Sequence, residues 1–157
     1  MPPKPLMDLD AMDTGRVVAG PEEVRRCNRQ RYEMEQLDGI LHLDTEEGIA
    51  VGFKDVGGDE FWVRGHIPGR PLLPGVLMCE AAAQLSSYLY GKMFGAEKFL
   101  GFGGMEDVKF RSAVVPGDRL VLVAKAEDIR PRRVVCRCQG FVDGRMVYEG
   151  TIIGMPM

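Results

Sequence analysis

The long segment between Val76 and Phe94 constrains the fold more than any other part of the sequence. It contains no proline, and its single glycine, Gly91, lies near its end, so the pattern predicts one long helix. Apolar residues cover almost every side of this helix instead of forming one stripe. Such a helix is typical of the buried centre of a fold. The rest of the chain is therefore expected to surround it.

Alternating polar and apolar residues predict strands before and after this helix. Leu37–Val56 alternates around a polar turn at Asp44–Gly48, which predicts a hairpin, and Phe61–Val63 favours a further short strand. Turn signals at Pro116-Gly117-Asp118 and Asp143-Gly144 separate later strands. These later strands are predicted at Phe99–Val114, Arg119–Ile129, Val134–Val142 and Met146–Ile153. The pattern predicts an α+β fold in which a curled antiparallel sheet is wrapped around one long central helix.

Chain length and local composition predict one domain preceded by a short arm. A chain of 157 residues lies in the usual size range of a single domain. Residues 1–20 mix Pro, Met, Asp and Gly without a clear period, so they are interpreted as a tail or wrapping arm, and residues 21–157 as the domain. Pro21, which two glutamates follow, favours a short helix that ends near Cys27 or Asn28.

The charge balance and the distribution of apolar residues exclude several classes of protein. The net charge is -3, from 20 Lys and Arg against 23 Asp and Glu, so the composition does not favour a nucleic-acid partner. No apolar stretch is as long as a membrane span, and the acidic residues near the start argue against a signal peptide. A cytoplasmic protein is therefore expected.

Cysteine spacing favours reduced, packed thiols over a metal site. None of Cys27, Cys79, Cys136 and Cys138 forms the C-x-x-C spacing of zinc sites and redox motifs. Cys136 and Cys138 are two residues apart in a predicted strand, so their side chains are expected on the same face. No metal site is predicted.

Two titratable residues, His66 and Glu80, flank a proline-rich loop. Pro68, Pro71 and Pro74 fix backbone angles in this loop, which lowers the cost of holding a catalytic geometry. Glu80 lies about one turn into the apolar helix, where a buried carboxylate needs partners or a raised pKa. A carboxylic acid and an imidazole suit the elimination of water, in which one group removes a proton α to a carbonyl and the other protonates the departing hydroxyl.

Neighbouring groups are predicted to support this pair. Glu80, Gln84 and Ser87 share one polar stripe of the helix at about 100° per residue, and Gln84 is interpreted as the residue that orients Glu80 or the loop. The helix is expected to begin after Pro74, where free backbone N–H groups stabilise an enolate oxygen. Gly75 would let a substrate approach that backbone closely.

A long motif resembles the signature of one enzyme family. Residues 65–84 read GHIPGRPLLPGVLMCEAAAQ, and they closely resemble the hotdog-fold 3-hydroxyacyl-[acyl-carrier-protein] dehydratases of bacterial type II fatty-acid synthesis. Glu80 agrees with the plain dehydratases, because a sister branch that also isomerises the double bond has Asp there. Ile67 and Glu33-Met34 depart from the family pattern, at positions that bear on the acyl tunnel. Further landmarks, between about Gln30 and Ile153, are Arg31-Tyr32, Leu37-Asp38, Phe102-Gly103-Gly104, Val115-Pro116-Gly117-Asp118 and Val142-Asp143-Gly144.

The resemblance implies a hotdog fold and the dehydration of (3R)-3-hydroxyacyl-[acyl-carrier-protein] to the trans-2-enoyl product. It implies that His66 and Glu80 are the catalytic pair, contributed by different subunits of a dimer, and that the Gly75 N–H polarises the thioester carbonyl. It also implies acyl carrier protein as partner, no metal or organic cofactor, and a homodimer that commonly assembles into a trimer of dimers.

Other residues are candidates for contacts with the acyl chain or the carrier protein. Val76, Gln84 and Phe102 are predicted to bind the substrate, with Phe102 in a glycine-flanked segment that could gate a tunnel. Arg111 and Arg119 are candidates for docking the acidic carrier protein. The alternative for these arginines is that they only face solvent and deter edge pairing between sheets.

Two other functions remain open on the sequence. A hotdog thioesterase would use an activated water to attack the carbonyl, and fold alone does not separate it from a dehydratase. A non-catalytic acyl-thioester binding subunit is the third possibility. The presence of both His66 and Glu80 weighs against it.

Overall fold

Two α-helices and six strands make up residues 3–157, the part of the chain that the structure, a computed structural model, describes. Single turns of 3-10 helix lie at Leu9–Ala11 and Tyr32–Met34. Met1 and Pro2, which belong to the predicted arm, lie outside the described residues. In chain order the elements are α1 (Pro21–Cys27), β1 (Gly39–Asp44), β2 (Ile49–Asp55), α2 (Gly75–Phe94), β3 (Leu100–Phe110), β4 (Arg119–Arg130), β5 (Arg133–Val142) and β6 (Arg145–Pro156).

The six strands form one antiparallel sheet in the order β1-β2-β4-β5-β6-β3. Hairpins join β1 to β2 and β5 to β6, as the turn residues at Asp44–Gly48 and Asp143-Gly144 predicted, and a further hairpin joins β4 to β5. The turn at Pro116-Gly117-Asp118 leads from β3 to β4, which are not neighbours in the sheet. β3 pairs only with β6 and lies at the edge opposite β1. The helix α2 connects β2 to this far edge, and it contacts five of the strands on the way.

The inner face of the sheet packs against α2 and forms the main hydrophobic core. Leu85 and Leu89 of α2 are fully buried in one cluster with strand residues such as Leu122. Cys136 and Cys138 belong to the same cluster, so the two thiols share a face as predicted, and all four cysteines are free. The predicted α+β arrangement of an antiparallel sheet around one long helix is confirmed.

The prediction of a short strand at Phe61–Val63 is wrong, because this segment folds into turns. Val63 N–H donates to Glu60 O at 3.0 Å. His66 N–H donates to Trp62 O at 2.7 Å. The backbone groups that a strand would use are thus satisfied locally, and β2 already has a neighbour on each side.

Residues 3–20, called the arm below, cross the outer face of the sheet. Leu6 and Leu9 pack against a second buried cluster on that face, which includes Phe53 and Phe141. The Gln139 side chain holds the backbone of the arm, because its Oε1 accepts the Leu6 N–H at 2.8 Å and its Nε2 donates to Lys4 O at 3.1 Å. The described part of the arm therefore wraps the sheet, whereas a domain boundary at residue 21 stays a prediction.

Candidate functional site

Both the backbone and the side chain of His66 are held by the loop between β2 and α2. The backbone N–H donates to Trp62 O, and the imidazole Nδ1 lies 2.6 Å from Leu72 O. A carbonyl oxygen can only accept a hydrogen bond, so Nδ1 carries the proton in the neutral imidazole. The free lone pair is then on Nε2, which suits a general base.

The residue after His66 has an unusual backbone conformation. Ile67 has φ 62°, a left-handed value that β-branched residues rarely adopt. Strain of this kind costs about 1–3 kcal/mol and is found where surrounding contacts enforce it. Here Arg70 N–H donates to Ile67 O at 2.9 Å, and Leu73 N–H donates to Val114 O at 2.8 Å, so hydrogen bonds close the loop within itself and fasten it to the segment before β4.

The N-terminus of α2 provides free backbone N–H groups, as predicted. The N-cap is Pro74, and the first hydrogen bond runs from Leu77 N–H to Pro74 O at 2.9 Å, so the N–H groups of Gly75 and Val76 precede it. A Cβ at Gly75 would lie 2.8 Å from the Phe110 ring, so the close approach that requires glycine is to Phe110 in this chain. Val76 is 67% exposed.

Gln84 holds Glu80 and the segment before β1 at the same time. Its Nε2 donates to Glu80 Oε1 at 2.9 Å and to Met34 O at 2.6 Å, and its Oε1 accepts the Gln36 N–H at 2.9 Å. Asn28 Nδ2 donates to the backbone O of Gln84 at 2.8 Å. Gln84 itself is buried. The predicted orienting role of Gln84 therefore has the hydrogen bond to Glu80 that it requires.

Glu80 lines a cavity of about 110 Å³ between α2 and the strands β3 and β6. Ser87, from the same helical stripe, and Phe102 of β3 line it as well. The other lining residues are Gln30, Ala83, Phe99, Leu100, Gly101, Ile152 and Gly154. A carboxylate on the wall of a cavity with many apolar groups suits the binding of a molecule that has an apolar chain and a reactive polar end.

A single chain does not bring the whole predicted site together. Among residues 3–157 no hydrogen bond joins His66 to Glu80, and the cavity that Glu80 lines does not include His66. Phe102 lies with Glu80 in that cavity, whereas Gly75 and Val76 do not line it. The predicted acid and base thus belong to two separate regions of one chain.

Both candidate docking arginines have partners within the chain. Arg111 Nη2 lies 2.7 Å from Glu149 Oε2. Arg119 binds both carboxylate oxygens of Asp55, at 2.7 and 2.9 Å, and its guanidinium lies over the Phe53 ring at 4.1 Å from the centroid. Docking of a carrier protein at these residues stays a prediction, and the structure gives each of them an intramolecular role.

Sequence reasoning missed several residues that shape the site. Leu72, through its carbonyl, selects the tautomer of His66, and no side-chain pattern could have indicated this. Gln30 lines the cavity beside Glu80, and its buried Oε1 has no hydrogen-bond partner among residues 3–157. Ser87 was not missed, since the sequence placed it on the polar stripe of α2, and it lines the same cavity.

The thiol next to Glu80 is packed rather than reactive. Cys79 is buried, and burial raises the pKa of its thiol and of the neighbouring Tyr148 hydroxyl, so both stay neutral. Within residues 3–157, no three His, Cys, Asp or Glu side chains are grouped as metal ligands. In the same part of the chain, no helix is long and apolar enough to cross a membrane.

Similarity to known proteins covers both halves of the site. The FabA-like domain family matches residues 28–151, which include the His66 loop and α2. The 3-hydroxyacyl-[acyl-carrier-protein] dehydratase FabZ of Streptococcus agalactiae is 36% identical over 132 residues, which are 83% of this chain and 93% of that protein. FabZ of Streptococcus mutans is 35% identical over 131 residues, 83% of this chain and 92% of that protein. The chain therefore belongs to the FabA-like domain family.

Solved structures share the fold at low sequence identity. The dehydratase heterocomplex ApeI:P from Xenorhabdus doucetiae has a TM-score of 0.72 at 15% identity, over 90% of this chain and 93% of that chain. A hypothetical thioesterase with coenzyme A from Streptococcus pneumoniae has a TM-score of 0.59 at 13% identity, over 75% and 84%. These similarities concern the fold alone, and they confirm the predicted hotdog fold.

Proposed function

We propose that this protein dehydrates (3R)-3-hydroxyacyl-[acyl-carrier-protein] to the trans-2-enoyl product, the reaction class for which its FabZ relatives are named. One observation carries the proposal. The identity of 36% extends over 93% of a FabZ relative, in a chain whose loop holds His66 and whose buried helix holds Glu80. Acyl carrier protein as partner and the cytoplasm as location belong to the same proposal.

The proposed proton transfers follow from the tautomer of His66. Nε2 takes the proton from the α carbon, and the released electron pair forms the Cα–Cβ double bond as the C–O bond at Cβ breaks. Glu80 gives its proton to the departing hydroxyl, which leaves as water. Charge that develops on the thioester oxygen is stabilised by the Gly75 N–H at the start of α2, where the helix dipole is positive.

A second copy of the chain is proposed to complete each site. β3 is an edge strand with one unpaired side, and it carries exposed apolar residues, Phe102 at 47%, Met105 at 48% and Phe110 at 50%. An exposed apolar edge is a surface for pairing with another chain. A dimer across this edge would let the histidine of one chain reach the glutamate of the other, and assembly into a trimer of dimers is part of the proposal.

Replacing Glu80 with Gln tests the acid. We expect dehydration of a 3-hydroxyacyl thioester to fall about 100- to 10,000-fold, because the amide has no proton to deliver to the hydroxyl. The assay follows enoyl absorbance, with circular dichroism to verify folding. His42→Gln, in β1, is the matched control and should keep parental activity. Full activity of the folded Glu80→Gln variant would remove Glu80 from the mechanism.

Hybrid dimers test the shared site. In a mixture of His66→Ala and Glu80→Gln chains, a hybrid has one site with both residues intact if each site draws on two chains. Unfolding and refolding the mixed chains should then restore dehydration that neither variant has alone. Persistent inactivity of hybrids whose formation is verified by mass spectrometry would place both groups in one chain.

Product analysis separates the proposal from hydrolysis. A dehydratase forms the enoyl thioester reversibly without releasing thiol, whereas a thioesterase releases one thiol for each turnover. Free thiol without enoyl product would overturn the proposed function. Binding without turnover of any chain length would favour the non-catalytic alternative.

Charge reversal at the two arginines tests carrier docking. Arg111→Glu and Arg119→Glu should raise the KM for carrier-bound substrate but leave the KM for a small thioester analogue unchanged, because the analogue makes no carrier contact. Equal changes with both substrates would show that the arginines act through their partners Glu149 and Asp55 instead.

A further inference from the structure

Lys54 occupies a position where a strand normally places an apolar side chain. Successive residues of β2 alternate between the two faces, with Ala50 in the inner core and Phe53 in the outer cluster. Lys54 pairs in register with Leu120, which is buried in the inner core. The lysine side chain is only 5% exposed, so its charge lies on the face that α2 covers.

Glu60 is the partner of this lysine, and it also organises the first turn of the loop. Its Oε1 lies 2.6 Å from Lys54 Nζ. Its Oε2 accepts the Gly57 N–H at 2.8 Å, and Oε1 accepts the Trp62 indole N–H at 3.3 Å. A single half-buried carboxylate thus joins β2 to both ends of the turn at residues 57–62.

The turn at residues 57–62 also positions the backbone of His66, because Trp62 belongs to this turn. Trp62 is buried, and its carbonyl oxygen accepts the N–H groups of both Gly65 and His66, at 3.2 and 2.7 Å. Any displacement of Trp62 therefore moves the backbone of His66. The imidazole would then lose its alignment with Leu72 O, which sets the tautomer.

Stability alone does not account for such a pair. Two charges removed from water lose hydration that their mutual attraction often fails to recover, so buried ion pairs are frequently no more stabilising than well-packed apolar residues. A largely buried pair does, however, favour one geometry, and Glu60 is the carboxylate that the Lys54 ammonium contacts.

We propose that Lys54 and Glu60 are positioning residues, which hold the turn at residues 57–62 so that His66 keeps Nδ1 on Leu72 O and Nε2 free for proton abstraction. The inference rests on the proposed function for its catalytic consequence. The geometric part, the link from the ion pair to the imidazole tautomer, stands independently of the reaction.

Two double variants test the pair. Lys54→Met with Glu60→Leu replaces both charges by apolar side chains, and Lys54→Met with Glu60→Gln keeps an acceptor for the Trp62 indole if the first fails to fold. We expect thermal unfolding temperatures close to that of the parent. The kcat should fall about 10- to 100-fold with little change in KM, because misplacement of the base affects the chemical step.

Nitrogen NMR of the histidines gives a readout that simple destabilisation does not move. The chain has two histidines, so His42→Gln assigns the signals of His66. In the neutral ring, the parent should show His66 with Nδ1 protonated, and both double variants should show a mixture of the two tautomers. His42 provides the internal reference.

A lysine–glutamate pair away from the loop is the matched control. Lys92 at the end of α2 pairs with Glu23 of α1, and Lys92→Met with Glu23→Gln should leave the His66 tautomer and kcat unchanged. Parental tautomer and parental kcat in a folded Lys54/Glu60 double variant would overturn the inference. An inactive parent would instead refute the proposed function, and the nitrogen spectra would still decide the positioning role.

Discussion

The inner face of the sheet packs against α2, whereas its outer face packs against the irregular arm at residues 3–20. The helix satisfies its own backbone hydrogen bonds, so its side chains are free to pack, and Leu85 is fully buried. The arm has little internal hydrogen bonding, and side chains of the sheet must bind its backbone. Gln139 does so at Lys4 and Leu6, and Arg119 Nη1 donates to Thr14 O at 3.0 Å. The attachment of the irregular arm to the sheet therefore depends on a few polar contacts.

The helix α2 and the arm also differ in how closely they pack against the sheet. A cavity of about 380 Å³ lies between the arm and the sheet, lined by residues such as Leu9, Arg119 and Phe141. The family match at residues 28–151 includes α2 and excludes the arm. The family match thus includes the helix that covers the inner face, whereas the arm that covers the outer face lies outside it.

Truncating one leucine on each face of the sheet should produce the largest difference in the free energy of unfolding. Leu85→Ala removes a fully buried side chain under a helix that cannot collapse into the space, so we expect a loss of about 2–5 kcal/mol in the free energy of unfolding. Leu9→Ala, in the half-buried arm, should lose about 1 kcal/mol or less. Urea unfolding followed by circular dichroism measures both, and equal losses would contradict the comparison.

Alkaline pH should weaken the inner core. Burial raises the pKa of Cys136 from its ordinary value of 9.0 to about 11, so the folded state keeps a proton that the unfolded state loses. This contribution is complete below pH 9 and disappears as pH rises through 11. We expect Cys136 alone to lower the free energy of unfolding by about 2–3 kcal/mol across this window, at about 1.4 kcal/mol per unit of pKa.

Cys136→Ala is the matched variant for this measurement. Its unfolding free energy should fall less between pH 9 and 11 than that of the parent, with reductant present throughout. Burial raises the pKa of the Cys138 thiol and the Tyr148 hydroxyl as well, so some pH dependence should remain. An unchanged pH dependence would show that Cys136 does not contribute.

Loss of the Gln139 amide should have a smaller effect on stability than loss of the Leu85 side chain, and a local effect on hydrogen exchange. Gln139→Leu leaves Lys4 O and the Leu6 N–H without their partner, which costs about 1–2 kcal/mol at most because the arm can detach into water. Hydrogen exchange should speed up within the arm and stay unchanged in α2. Equal protection of the arm in variant and parent would show that apolar contacts alone retain it.

Much of the fold was predictable because periodicity encodes which side chains are buried. The absence of proline and the all-round apolar surface of residues 76–94 predicted α2, and turn residues predicted the β1–β2 and β5–β6 hairpins. Phe61–Val63 was mispredicted as a strand, since three β-favouring residues do not reveal that their backbone bonds are satisfied within a turn. The proline-rich loop, the apolar helix and the resemblance of residues 65–84 to a known signature made His66 and Glu80 the candidate pair, but the sequence did not reveal the hydrogen bonds around them.

The sequence by itself determined the buried helix, the stiffness of the loop and the chemical types of the two candidate catalytic residues, because these follow from side-chain pattern and covalent restriction. Only the tertiary structure decided that Leu72 O sets the tautomer of His66. It also decided that Gln84 binds the backbone of Met34 and Gln36, and that a buried Lys54 meets Glu60 beneath the loop. Such contacts join positions whose spacing along the chain has no period, so they exist only once the chain has folded.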